Sequence, residues 1–299
     1  MPQPIPAPRE QGFTQTTPTP LYWVAYGPAD ADRLLVLHGG PGADHAYLLP
    51  QMLHLAEKYN VILYDQRGGG KSKSDEHEPV TIDTHVADLD AIVKEFDMEA
   101  PSIVAYSFGA MITLFYCLES QRSPAIRKPA RVALIDPAPL RMDYRKQFEA
   151  EFSKRQNGSV IRGMREELAA SGLREKDPVE YKQRTFELAV AGYFADPAKA
   201  RNLTPFRIIG RVQQSVWESI GPDYDLLSQL SPMDFPTLIV HGRDDPIPAA
   251  SSIEGAKAMN AQLVLLDGCG HVPYVEQPGQ LFAALDAFLA ASDSPVTRG

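Results

Sequence analysis

A serine, an aspartate and a histidine follow one another along the chain, each just beyond a short apolar run: Ser107 after residues 102–106, Asp245 after residues 237–240, and His271 after residues 262–266. Side chains of these three types can together perform nucleophilic acyl transfer. A neutral hydroxyl attacks a carbonyl poorly until an imidazole takes its proton, and a buried carboxylate fixes the imidazole tautomer and stabilises its charged form. Each residue alone would more often be structural, Ser107 for example as the N-cap of an ordinary helix. It is their common placement at strand ends that makes a candidate site. The acid has competitors, because Asp244 adjoins Asp245 and Asp136 also ends an apolar run.

The surroundings of the serine sharpen this reading. Ala105-Tyr106-Ser107-Phe108-Gly109 is a G-x-S-x-G strand-to-helix elbow with Ala in its first position, where small residues admit the neighbouring backbone. His38-Gly39-Gly40-Pro41-Gly42 follows another apolar run and can present backbone N–H groups to a developing oxyanion, with the N–H of Phe108 as a second donor. His38 and His241 are expected to hold loops rather than move protons. Gln66-Arg67-Gly68-Gly69-Gly70-Lys71-Ser72 ends like a phosphate-binding loop, but the pattern needs glycine where Asp65 stands. No metal-ligand spacing is present either, so neither a metal nor another cofactor is expected.

These residues need a scaffold, and the rest of the chain supplies one. Apolar runs at residues 33–38, 60–65, 102–106, 131–136, 237–241 and 262–267 read as strands buried on both faces. Amphipathic stretches at 47–59, 82–96, 108–120 and 278–290 read as helices between them. The alternation predicts an α/β fold, a mostly parallel central sheet with helices on both faces. Residues 137–232 break the rhythm: they are helical in pattern and highly charged, with Gly172 as a C-cap and Asp177-Pro178 starting another helix. They read as a helical cap inserted after the sixth strand, over a core made of residues 1–136 and 233–299.

Composition narrows the partners. The 299 residues, 44% of them hydrophobic, suffice for one large core with an elaboration, and the formal charge of −9 opposes nucleic acid and anionic membranes. The expected partner is a small molecule or short peptide. Two cysteines, Cys117 and Cys269, give no disulfide framework, and no run nears the ~20 apolar residues that span a bilayer. No signal-peptide pattern opens the chain, so a cytoplasmic location is expected. Residues 1–20, with Pro2, Pro4, Pro6 and Pro8, read as an extended arm along the surface.

The motifs His38-Gly39-Gly40-Pro41-Gly42, Asp65-Gln66-Arg67-Gly68 and His241-Gly242-Arg243, over a span from about Leu21 to Leu289, resemble those of proline iminopeptidase-type α/β hydrolases. The resemblance implies an α/β-hydrolase fold whose triad is Ser107, Asp245 and His271, with Gly40 and Phe108 as oxyanion donors. It also implies removal of a small N-terminal residue, proline foremost, through an acyl-enzyme. Such enzymes hold the substrate ammonium with acidic side chains near the cap, and some place a Glu directly after the catalytic Asp. Here that position is Pro246, and the nearest carboxylate in the cap stretch 211–220 is Glu218, beside Trp217. The same fold and triad serve carboxylesterases and lactonases, and a ligand receptor on a hydrolase scaffold is a further alternative.

Overall fold

In the computed structural model, which describes residues 3–291, a single eight-stranded sheet organises the chain. The strands are β1 (Glu10–Phe13), β2 (Tyr22–Tyr26), β3 (Arg33–Leu37), β4 (Asn60–Tyr64), β5 (Ser102–Tyr106), β6 (Arg131–Ile135), β7 (Thr237–Gly242) and β8 (Gln262–Leu266). Their spatial order is β1-β2-β4-β3-β5-β6-β7-β8. All neighbours from β4 to β8 are parallel, whereas β1 and β2 join antiparallel at one edge.

Strand alternation sends side chains into two separate cores. Leu35, Leu37, Ile62, Tyr64, Ile103 and Ala105 pack on one face against α1 (Ile82–Glu95) and α2 (Phe108–Arg122). Leu34, Val36, Val61, Leu63, Val104 and Tyr106 pack on the other, against residues 45–57 and, beyond the cap, the C-terminal helix Pro278–Ala290. Continuous apolar strands are the mark of a sheet covered on both sides. Each fully buried Leu of such a core contributes about 1.5–3 kcal/mol of transfer free energy.

Between β6 and β7 run α3 (Met142–Gln156), α4 (Ser159–Ala170), α5 (Leu173–Lys176), α6 (Pro178–Val190) and α7 (Gly210–Ile220). Gly172 has φ 68° just past α4, and Asp177 caps α6 by accepting from the Glu180 N–H, with Pro178 in the first turn. The chain then continues through α8 (Ala249–Met259), α9 (Pro273–Glu276) and α10 (Pro278–Ala290).

Two expectations need correction. Residues 1–20 are not simply an extended arm: Glu10–Phe13 pairs with β2 and extends the sheet, while Thr14, Thr17 and Thr19 are buried. These two extra strands make Arg131–Ile135 the sixth in chain order. Residues 47–59 form no single α-helix but two 3-10 stretches, His45–Leu48 and Gln51–Glu57. Pro50 lies between them, and it forces the preceding Leu49 into an extended conformation, φ −101° and ψ 151°.

Candidate active site

Ser107 stands between β5 and α2 with φ 54° and ψ −116°, a backbone conformation that non-glycine residues rarely adopt. Close approach of the flanking chain sustains it. A methyl group at Gly109 would lie 2.4 Å from the His38 carbonyl oxygen, and one at Gly39 would lie 2.6 Å from the Ser107 Cβ. Only glycine fits at those two points, so the loop after β3 and the first turn of α2 lie against the serine from both sides.

Asp245 and His271 reach Ser107 from beyond β7 and β8, the second and third strands past β5 in the sheet. The His271 Nε2 lies 2.9 Å from Ser107 Oγ, and its Nδ1 lies 2.7 Å from Asp245 Oδ2. With Nδ1–H directed at the carboxylate, Nε2 is left as an acceptor for the serine proton. Asp245 Oδ1 accepts from the Ile247 N–H at 2.7 Å, which fixes the carboxylate in its loop. Asp244, in contrast, is exposed, and Asp136 lies one strand nearer the sheet centre, its Oδ1 accepting from the Gly242 N–H at 2.8 Å. Of the three candidate acids, Asp245 is the one in contact with the imidazole.

The electrostatics follow from burial. Desolvation lowers His271 from the usual imidazole value to about 4 and raises Asp245 to about 6, the latter opposed by His241 and by the Ile247 N–H. At neutral pH the imidazole is therefore uncharged and able to accept a proton, while the carboxylate is ionised.

The His271 loop is anchored on several sides. Its own N–H donates to the Tyr193 carbonyl at 2.7 Å, and the Tyr106 hydroxyl donates to its carbonyl at 2.6 Å. The buried Glu276 carboxylate accepts from the Gly270 N–H at 2.7 Å and from the Ala195 and Asp196 N–H groups at 3.2 and 3.1 Å. Tyr193 also lays its ring against the imidazole, with centroids 5.3 Å apart. Sequence reasoning missed Tyr193 and Glu276, because no spacing links residues so distant in the chain. Four residues separate His271 from Glu276, and that interval was the one local signal available.

Gly40 and Phe108 flank the serine. Their N–H groups donate to no acceptor among the described residues. Phe108 opens α2, where the first amides have no intrahelical partner, and Gly40 takes φ 58° in the loop after β3. Two unpaired donors beside a nucleophile can stabilise negative charge on a substrate oxygen. The glycine-rich stretch after β4 supports this loop: Asp65 accepts from the His45 N–H and ring and from the Lys71 N–H, and Arg67 is held by Asp88, Glu78 and Thr19. The Asp65 carboxylate points inward, Gly69 and Gly70 pack on the loop after β3, and Gly68 meets Val212 of α7, so the resemblance to a phosphate loop ends at the letters. His38 and His241 are both buried in hydrogen bonds to neighbouring loops.

Two cavities meet at Ser107 and His271. The outer one, about 810 Å³, is bordered by Arg145, Lys146, Glu149, Gln213, Trp217 and Glu218. Here Trp217 is half-buried against the Phe108 ring and under the Arg145 guanidinium, whereas Glu218 is exposed and accepts from Gln214 at 2.7 Å. The inner cavity, about 390 Å³, is walled by Tyr47, Phe152, Phe186, Tyr193, Phe206 and Tyr274, and no carboxylate among the described residues lines it. One cluster of potential metal ligands occurs among the described residues, Asp136, His241 and Asp245, but it shares Asp245 with the site, and both His241 nitrogens are already engaged. No helix among the described residues is long and apolar enough to cross a membrane.

This arrangement has known counterparts. A family model described as "Alpha/beta hydrolase family" matches residues 34–285. The chain belongs to the alpha/beta hydrolase family. Within it, the chain is 25% identical over 279 residues to a proline iminopeptidase of Thermoplasma volcanium, covering 88% of this chain and 90% of that one. It is 27% identical over 289 residues to a proline iminopeptidase of Lactobacillus delbrueckii subsp. lactis, covering 88% and 92%. Among solved structures it is similar to a proline iminopeptidase-related protein from Thermus thermophilus, with TM-score 0.70, 22% identity, and coverage of 94% and 97%. An enol-lactonase from Burkholderia xenovorans gives TM-score 0.65 at 20% identity, over 94% of this chain and all of that one. The family makes this hydrolase's fold secure, and these structural likenesses speak to the fold alone.

Proposed function

We propose that the protein is a serine hydrolase working through an acyl-enzyme on Ser107, and that its substrates are short peptides or arylamides from which it removes a small N-terminal residue, proline foremost. The observation that carries the first part is the continuous path of hydrogen bonds from Asp245 through His271 to Ser107. His271 accepts the Ser107 proton as Oγ attacks the carbonyl carbon, and the resulting oxyanion takes the free N–H groups of Gly40 and Phe108. Collapse expels the leaving amine with the proton from His271, and water, activated by the same imidazole, releases the acyl group. The relatives' names support the choice of substrate, as do the motifs after β3, β4 and β7. Glu218, with Trp217 as the adjoining wall, is the residue assigned to the substrate ammonium.

A second reading, a carboxylesterase or lactonase with the same triad, is favoured by one observation: the aromatic cavity beside Ser107 offers no carboxylate to a charged amine. One comparison separates the two. Proline arylamide, its N-acetyl derivative and a short-chain p-nitrophenyl ester are assayed under identical conditions. The aminopeptidase reading expects a preference of about tenfold or more for the free amine, the worth of roughly 1.4 kcal/mol. Equal rates on the two arylamides, or turnover of the ester alone, transfer the assignment to the esterase.

A further inference from the structure

Asp136, directly after β6, is fully buried and has φ 40°, one of few non-glycine residues in the left-handed region. Its Oδ1 accepts from the Gly242 N–H, but its buried Oδ2 has no hydrogen-bond partner among the described residues. The polar groups beside it are the His241 ring, whose Nδ1 lies 3.5 Å from Oδ1, and another carboxylate, for Asp136, His241 and Asp245 bring one oxygen or nitrogen atom each within 4.8 Å of the others. Two ionised carboxylates that close, away from water, repel strongly, whereas one proton between them removes a charge and turns the orphan acceptor into a donor.

The neighbours do not supply a charge to keep both ionised. His241 places Nε2 3.1 Å from the Ile247 carbonyl, which can only accept, and Nδ1 3.0 Å from the Ser252 hydroxyl, and burial lowers its pKa, so it is neutral. His271, also held low by burial, directs its one N–H to Asp245. Burial keeps Tyr106, Tyr274 and Cys269, which also face Asp136, un-ionised. Arg155 acts on Asp245 from the outer side, where it binds Glu151 and the Asp244 carbonyl. Burial first and the Asp245 charge second push the Asp136 carboxyl well above the usual carboxylate range.

We propose that Asp136 is a positioning residue: as an un-ionised acid it donates a hydrogen bond from Oδ2 to the Asp245 carboxylate. The inference rests on reading Asp245 as the partner of His271. Asp245 then holds donors from three directions, Asp136, Ile247 and His271, and its plane is fixed where the imidazole needs it. The strained backbone at Asp136 is what aims its side chain into this corner.

Two variants and one spectrum test it. Asp136→Asn keeps an acceptor for Gly242 and an N–H for Asp245, whereas Asp136→Ala keeps neither. The Asn variant is expected to hold kcat/KM within about threefold of wild type with the acidic limb of its pH profile unmoved. The Ala variant is expected to lose roughly 10- to 100-fold in kcat at unchanged KM, the scale of one hydrogen bond to a charged group. Were Asp136 ionised, its removal would lower the pKa of both Asp245 and His271 and carry the acidic limb down by about a unit or more. That displacement, or an Asn variant as impaired as the Ala variant, overturns the proposal. Independently of turnover, the infrared difference between 13C-aspartate-labelled wild type and Asp136→Asn at neutral pH should contain the carbonyl stretch of a protonated carboxylic acid, and its absence refutes the proposal. If the Ala variant fails to fold, the Asn profile and the spectrum still decide. Failure of the underlying reading would look different: Asp245→Asn would remain active, with the infrared band unaffected in the wild type.

Discussion

The loops at the carboxyl ends of β5, β7 and β8 and the helices between β6 and β7 face the same cavities but are built on opposite terms. In the loops, Asp245 and His271 are buried, Ser107 is half-buried, and every one is hydrogen-bonded to another member of the site. In the helices, α3 buries only Tyr144, α4 only Ile161, and α5 nothing, and charged pairs such as Arg155–Glu151 and Arg145–Glu149 line α3. Geometry close to the reacting bond is fixed by the sheet core, where a misplacement is costly. The wall that meets the rest of the substrate is held by fewer buried contacts and can vary. Mutations should therefore divide into large effects on turnover from the loops and small effects on selectivity from the helices.

The division is tested most severely at the nucleophile and base. Ser107→Ala and His271→Ala should each lower kcat on the order of a million-fold, and a fluorophosphonate should label the wild type but not Ser107→Ala. Activity of His271→Ala within about tenfold of wild type would move the base elsewhere. Asp245→Asn should cost on the order of 10⁴-fold, as in the serine-protease case, with thermal unfolding little changed. A mild Asp245→Asn beside a crippling Asp136→Asn would reverse the assignment of the acid.

A smaller and graded effect concerns pH. The competent state has His271 neutral and Asp245 ionised, and burial sets the former to about 4 and the latter to about 6. As pH falls through about 6 the carboxylate begins to take a proton, and near 4 the imidazole does, so both changes remove active enzyme in the same direction. We expect kcat/KM to be level between about pH 7 and 8, to be roughly halved near 6, and to fall below that by up to about tenfold per unit until, near 4, the second protonation steepens the loss. A maximum at pH 5 or lower would contradict the buried pair. Smallest of all is the effect from the helices. Because Glu218 is exposed, Glu218→Gln should raise KM for free-amine substrates only about two- to tenfold and leave short-chain esters untouched. An equal loss on both substrate types would show that Glu218 does not read the amine.

Much of the loop region could be read in the sequence because each element there is local. A strand buried on both faces is a run of apolar residues, and Ser107, Asp245 and His271 each follow such a run within a few positions. The elbow announced itself through Ala105 and Gly109, and the structure explains the latter by the His38 carbonyl lying against it. β1 was hidden because Glu10-Gln11-Gly12-Phe13 is almost entirely exposed and carries no apolar alternation. Its pairing exists only through Tyr22–Tyr26, itself an aromatic run between Pro20 and Gly27 that deserved reading as a strand. The aromatic cavity was illegible for a different reason. Tyr47, Phe152, Tyr193, Phe206 and Tyr274 come from five separate segments, and only the closed fold gathers them. Asp136 was visible as an acid at a strand end, but which of two neighbouring carboxyls keeps its proton depends on burial that the sequence does not display.

The buried Glu276 joins two parts of the chain that are far apart in sequence. One carboxylate grips the backbone just before His271 and, at the same time, the segment at Ala195 and Asp196. Any displacement of that segment would act on the bonds to Ala195 and Asp196 and, with them, on the His271 N–H bond to Tyr193. The cavity wall at Tyr193 and the imidazole thus share one anchor: whatever strains the wall is also felt at His271, and whatever steadies the wall steadies the imidazole by the same amount.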